Sequence, residues 1–345
     1  MTMAGDPCGG GQCAQFPIAM TWLLLVLAAL TSSCAVLDTK TPTWREFATP
    51  AKPVPVIELY TEQSGTGDPV VLIHGFGNST YTWRHIVPAL ARDHQVIAID
   101  LKGFGKSPKP SDDCYSIYEQ ARLVRDYVVN NNLRNVTLVG HSYGGGVALI
   151  ATLFLVDESP PRQRALVLID SIAYPQELPS FIRLLTTPVL GPLLLNLVPP
   201  ETQVREVMED VFYDDTLISA DAVKIYAEGL QTAAGRVATL ATAKQILPTD
   251  LLELVELYPR IRIPTLIVWG RHDAIIPLSV GERLNAAIPG SSMVVIEGSG
   301  HAPQEEHPEA LLPILQPFLD KVEVIPTLMS SSAIRKIALL RQSVE

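Results

Sequence analysis

Leu138-Val139-Gly140-His141-Ser142-Tyr143-Gly144-Gly145-Gly146 is the stretch that decides the fold. The apolar run 136–139 leads into it, and residues 144–155 that follow are small and mostly apolar. The pattern is a buried strand, a tight turn and a helix packed closely on a sheet. A Gly-x-Ser-x-Gly motif in that context lifts the serine Oγ clear of the strand ends. Gly140 and Gly144 remove the side chains that would collide around so sharp a turn. The helix then points free N–H groups and its positive dipole end at the serine.

The same rhythm extends in both directions. Apolar runs at 70–73, 96–99, 165–169, 265–268 and 293–296 each end in a polar or Gly-rich loop. Four to six apolar residues without alternation suit strands covered on both faces, as in a parallel sheet. An early strand is expected at 56–60, followed by a turn at 64–68. Residues 115–131 place Tyr118, Ala121, Val124 and Val128 at helical spacing. Strands alternating with helices predict an α/β fold, with a mostly parallel central sheet flanked by helices. From 172 to 260 the strands stop, and only helical patterns remain, at 201–212, 221–230 and 235–246, after a Pro- and Leu-rich stretch at 178–200. The strand pattern resumes with Ile263-Pro264-Thr265-Leu266-Ile267-Val268-Trp269-Gly270. The core is therefore expected at 56–171 and 261–322, with 172–260 as a helical lid inserted between two strands.

A serine hydroxyl needs a base held by a third group to become a nucleophile. His301 lies in the Gly-rich loop Glu297-Gly298-Ser299-Gly300-His301, directly after the run 293–296. Asp273 closes Trp269-Gly270-Arg271-His272-Asp273, just past 265–268. Either residue alone is as readily an ordinary loop histidine or a turn aspartate. Together the three occur in the order Ser, Asp, His, each expected at the same end of a parallel sheet, which is the chain order of one known triad arrangement.

Residues 56–322 resemble the α/β-hydrolase superfamily. The resemblance rests on HGFG at 74–77, DLKGFGKS at 100–107, GHSYGG at 140–145 within the stretch above, WGRHD at 269–273 and GSGHAPQEEHP at 298–308. It implies Ser142 as nucleophile, His301 as base and Asp273 as the triad acid. It also implies an oxyanion hole from the backbone N–H groups of Phe76 and Tyr143, whose side chains would line the pocket. His74 would brace its loop, His141 would be structural beside the turn, and Trp83 would pack on the loop bearing Phe76. Some branches place the acid at the position of Asp170, after 165–169. The WGRHD context favours Asp273, leaving Asp170 to hold a loop or line the pocket. Relatives that dehalogenate alkanes or open epoxides use Asp at the turn, so Ser142 points to acyl transfer. The leading expectation is a carboxylesterase acting on hydrophobic ester substrates. A lipase, a hydrolase of carbon–carbon bonds and a ligand receptor are the alternatives.

Composition narrows the classes further. The chain has 345 residues, 47% hydrophobic and 18% charged, with a formal net charge of −10. That balance supports a packed core and argues against nucleic acid as a partner, whose phosphates need Lys and Arg. No cofactor, metal or nucleotide motif emerges. The apolar run 16–30 is about 15 residues, short of the roughly 20 needed to span a bilayer but suited to an export signal. Small residues then precede Cys34, as in a lipoprotein signal. A cell-envelope or secreted location is expected, with residues 1–34 as signal peptide or as an uncleaved membrane anchor, and 35–55 as linker. The first basic residue is Lys40, and Thr31 replaces the usual aliphatic residue, both departures from the lipoprotein pattern. Of four cysteines only Cys114 lies beyond the leader, so no disulfide within the mature chain is expected. The tail 323–345 carries Ile334, Ile337 and Leu340 at helical spacing among Arg335, Lys336 and Arg341, which suits either a membrane surface or docking on the domain.

Overall fold

The computed structural model describes residues 43–44, 57–156 and 158–321. The leader, Cys34 and the tail 323–345 lie outside the described residues. Seven strands form one sheet: β1 (Thr61–Ser64), β2 (Pro69–Ile73), β3 (Gln95–Ile99), β4 (Val136–His141), β5 (Gln163–Ile169), β6 (Thr265–Gly270) and β7 (Ser292–Ile296). Their spatial order is β1-β3-β2-β4-β5-β6-β7, and only β1 runs antiparallel to its neighbour. The early strand expected at 56–60 is displaced to Thr61–Ser64. Thr61 to Ser64 are polar and mostly exposed at the sheet edge, so ladder pairing with Ile99 to Val96 forms this strand and hydrophobicity does not mark it.

Strands β2, β4, β5 and β6 are buried throughout, as their unbroken apolar character requires. Alternate residues feed two cores. Val71, Ile73, Leu138, Leu166, Leu168 and Ile267 join one cluster, with α2 (Ile117–Asn130) and α3 (Tyr143–Leu155) packed over it. Val70, Leu72, Val139, Val167 and Val268 join the other, beneath α1 (Val87–Leu90) and α12 (Pro308–Lys321). Ser116 caps α2 by accepting from Glu119 N–H, and Asn131 ends it.

Between β5 and β6 the chain is helical: α4 (Ser180–Thr186), α5 (Leu190–Leu197), α6 (Pro200–Val211), α7 (Ala220–Gln231), α8 (Ala233–Lys244) and α9 (Leu251–Val255). Met208, Phe212, Ile218, Val223 and Tyr226 form a small core of this segment, shared with Ala302 of the sheet domain. Two short helices, α10 (Leu278–Ala287) and α11 (Pro303–Glu306), complete the α-helices of the sheet domain, and three 3₁₀ turns lie at Thr80–Trp83, Asp215–Leu217 and Tyr258–Arg260. Trp44, within the stretch read as linker, stacks on Phe154 with ring centroids 4.9 Å apart. No single helix among the described residues is long and apolar enough to cross a membrane.

Chain order reverses across the sheet between β2 and β4. From β2 the chain crosses to β3 on one side, and from β4 it moves to β5 on the other. The crevice outside the carboxyl ends of two such strands is where ligands bind in open α/β sheets. The loop after β2 and the turn after β4 both open into it.

Candidate active site

Each of the five expected site residues follows the carboxyl end of a parallel strand: Phe76 after β2, Ser142 after β4, Asp273 after β6, His301 after β7, and Tyr143 at the start of α3. Ser142 has φ +54° and ψ −120°, a strained conformation for a residue with a side chain. The turn tolerates it because a Cβ at Gly140 would lie 2.2 Å from the Gly144 carbonyl oxygen, and one at Gly144 only 2.3 Å from that of His74. Those two glycines let β4, the turn and the loop after β2 interlock.

The triad is assembled. Ser142 Oγ–H donates to His301 Nε2 at 2.8 Å, and His301 Nδ1–H donates to Asp273 Oδ2 at 2.8 Å. Asp273 Oδ1 accepts from Ile275 and Ile276 N–H, both at 2.8 Å, which fixes its plane. Burial pushes the Asp273 carboxyl up. The His301 charge, its hydrogen bond and the Ile276 N–H outweigh burial and hold it below the usual range. The acid is thus kept ionised against the imidazole. Asp170 stands next to Asp273 but makes no recorded hydrogen bond to His301. It accepts from Gly270 N–H at 2.8 Å, bridging β5 to β6.

Two further buried histidines near the site, His141 and His74, are structural. His141 donates Nε2–H to the His301 carbonyl at 2.7 Å, and burial first, then the His301 charge, lowers it to about 3. It therefore stays neutral and braces the histidine loop. His74 donates Nδ1–H to the Gly75 carbonyl and accepts from Leu101 N–H at 2.9 Å, tying the Phe76 loop to the 100–107 loop. A Cβ at Gly75 would sit 3.2 Å from Ser142 Cβ, so that loop lies against the serine. Tyr143 opens α3, where its N–H has no intrahelical acceptor. Trp83, expected to pack on the loop bearing Phe76, is completely buried. The 3₁₀ turn Thr80–Trp83 carries it to the core cluster of Val70 and Leu72, whereas Phe76 packs with the opposite cluster, edge-on to Phe104.

Sequence reasoning gave no role to Glu305 and Glu306, both buried on α11. Glu305 accepts from Thr82 Oγ1 and Tyr226 OH, each at 2.8 Å, and pairs with Arg84 at 2.7 Å. Tyr226 belongs to α7, so this carboxylate ties the inserted helices to the sheet domain. Glu306 accepts from Gly300 N–H (3.0 Å) and Ala302 N–H (3.1 Å), on either side of His301, and from Tyr213 N–H (2.8 Å) past α6. His301 N–H itself donates to Val211 O at 2.8 Å. The histidine loop is therefore clamped between the helical insertion and α11. Two adjacent acids so close to the histidine in Gln304-Glu305-Glu306 were the only available signal. Replacing Glu306 with alanine leaves buried N–H donors unmatched, at about 1–3 kcal/mol each. Chemical denaturation is expected to show a loss of about 3 kcal/mol, and steady-state kinetics a fall in kcat with little change in KM.

A cavity of about 1060 Å³ opens above Ser142. Phe76 and Tyr143 line it, as do Leu185, Leu194, Leu195 and Val198 of the insertion. The apolar run at 178–200 divides: Val189, Leu193 and Leu197 point outward and are at least half exposed or nearly so, at 59%, 49% and 71%.

A hydrogen-bonded serine, histidine and aspartate at the carboxyl edge of a parallel sheet, beneath an apolar cavity, define a serine hydrolase of the α/β class. The family model for the alpha/beta hydrolase fold matches residues 68–308, and the chain belongs to that family. An uncharacterised protein of Mycobacterium tuberculosis is 31% identical over 290 residues, covering 81% of this chain and 82% of that one. The 2-hydroxy-6-oxo-2,4-heptadienoate hydrolase of Pseudomonas putida is 30% identical over 272 residues, covering 76% and 93%. Among solved structures, a thermophilic esterase from Thermogutta terrifontis aligns with a TM-score of 0.64 at 26% identity, over 77% of this chain and 94% of that one.

Proposed function

We propose that this hydrolase is a carboxylesterase that cleaves neutral, hydrophobic esters through an acyl-enzyme on Ser142. His301 takes the Ser142 proton as Oγ attacks the ester carbonyl, and Asp273 orients and stabilises the imidazolium. The N–H groups of Phe76 and Tyr143 receive the oxyanion, a contribution of about 3 kcal/mol for one such donor elsewhere. His301 then protonates the leaving alcohol, and water repeats the sequence to release the acid. The residues 172–260 act as a lid whose inner face forms the acyl or alcohol pocket.

The observation that carries the ester reading is the charge of the cavity wall. Among the described residues no arginine lines it, and the lysines that do are Lys106 and Lys109, with Lys109 Nζ already donating to the Ser107 carbonyl at 3.1 Å. Acids outnumber them, among them Asp100, Glu206, Asp210 and Glu305. The Pseudomonas relative is named for a dienoate, a substrate with a carboxylate. Such a group would enter this wall without a dedicated counter-ion, whereas a neutral ester incurs no such cost.

An ester panel of increasing acyl length, assayed beside a vinylogous diketone acid, tests this. Highest kcat/KM is expected on soluble short- to medium-chain esters. Turnover of the diketone acid without any ester would overturn the reading, and a rate that jumps only above the solubility limit of long-chain esters would make the protein a lipase. Binding of a small ligand with no turnover of either class would indicate a receptor. We further propose export, with Cys34 lipidated or the run 16–30 retained as an anchor, which mass spectrometry of the mature N-terminus decides.

A further inference from the structure

Asp170 is more than a loop-holding acid. It follows β5 with φ +43°, in the left-handed region that few residues with side chains adopt, and it is completely buried. Its Oδ1 accepts from Gly270 N–H. No N–H or O–H group of the described residues reaches its Oδ2. Beside it lies the carboxyl of Asp273, one oxygen of which is within 4.8 Å of an Asp170 oxygen. The ligand atoms of Asp170, Asp273 and His301 all lie within 4.8 Å of one another. Asp273 is already committed as an anion, with His301 and two backbone N–H groups on its oxygens.

Two buried carboxylates cannot face each other bare; one must carry a proton, as in paired acids generally. We propose that Asp170 is held as the neutral acid and donates its hydroxyl hydrogen to Asp273, making Asp170 a positioning residue for the triad. The assignment of the proton follows from the partners. Asp273 has the imidazole, while Asp170 has one N–H and no cation. Among the described residues, the charged or titratable groups that face Asp170 include Asp273, Glu306 on α11 and His301 on its loop. Burial first, and then the Asp273 charge, push the Asp170 carboxyl well above the usual range. The donated hydrogen bond supplies Asp273 with a further fixed donor, so its carboxylate plane is set from Ile275, Ile276 and Asp170 together. The catalytic role of Asp273 is the reading proposed above; the protonation state of Asp170 is not tied to it.

Asn is the neutral isostere, since its carbonyl can accept from Gly270 and its amide can donate to Asp273. Linkage gives the sign. The folded state keeps a proton that the unfolded chain releases near pH 3.9, so wild-type stability falls as pH rises above that value. Asp170→Asn has no such titration. Its Tm is expected to exceed wild type at neutral pH, with the gap closing as pH is lowered towards the ordinary carboxylate range. An Asp170→Asn protein less stable than wild type at neutral pH, with the deficit shrinking in acid, would show an ionised Asp170 and overturn the proposal. Kinetics test the positioning. Asp170→Ala is expected to lose about tenfold in kcat at similar KM, in the range of a misoriented catalytic group, with Asp170→Asn keeping several times more of kcat than Asp170→Ala. Equal kcat in Ala and Asn variants would remove the positioning role. The thermal arm needs no substrate, and loss of the ester reading would show instead as an absence of turnover in wild type.

Discussion

Ser142→Ala is expected to lower ester turnover by about a millionfold, the scale seen when the nucleophile of a triad is removed. Labelling by a fluorophosphonate probe should vanish in the same variant, because the probe forms its bond with the activated Oγ. The cause is local. Ser142 Oγ is the hydroxyl hydrogen-bonded to His301 Nε2, the nitrogen that takes its proton. The fold should be indifferent. Alanine occupies the same φ of +54° at no greater strain, and the Ser142 N–H bond to the Ile169 carbonyl at 2.9 Å is a backbone interaction. Unchanged Tm with lost labelling is therefore the expected pair of results. Persistent labelling in Ser142→Ala would move the nucleophile elsewhere.

Asp273→Asn is expected to lower kcat by about 10⁴ while leaving substrate binding nearly intact. The Asn carbonyl can still accept from Ile275 and Ile276 N–H, which forces its amide N–H₂ towards His301 Nδ1. Nδ1 must then be the acceptor, so the proton sits on Nε2 and His301 can no longer take one from Ser142. A stability consequence follows as well. The Asp273 carboxyl lies below its ordinary value in the fold, so it contributes stability above the unfolded carboxylate value and loses it as pH falls through the folded one. Asp273→Asn should thus be less stable than wild type at neutral pH, with the difference narrowing in acid. That is the opposite of the trend expected for Asp170→Asn, so the two aspartates are separable by thermal unfolding alone. Equal kcat in wild type and Asp273→Asn would displace Asp273 from the triad.

The strand cores, α2, α3 and the insertion helices α6, α7 and α8 were legible because their signals are local, whereas α4, α5 and α9 were not read from the sequence. Apolar runs bounded by Gly-rich loops mark strands buried on both faces, and the spacing of Tyr118, Ala121, Val124 and Val128 marks one face of α2. Strand β1 was misplaced because an exposed edge strand carries no hydrophobic signature. Glu305 and Glu306 passed without a role because the partners that tie them to the rest of the fold, Thr82, Tyr226 and Tyr213, lie about 80 to more than 200 residues away in the chain.

By itself the sequence determined the strand–turn–helix around Ser142, the order of Ser142, Asp273 and His301, and the helical interruption between β5 and β6. Those features follow from short-range sterics and hydrophobic period, which a few consecutive residues fully express. Only the tertiary structure decided that His301 is clamped between Val211 and Glu306, that no arginine of the described residues lines the cavity, and that the Asp170 carboxyl lies beside that of Asp273. These depend on which distant side chains share a buried space. There, desolvation makes every unpaired charge expensive, and the partners present decide where each proton resides.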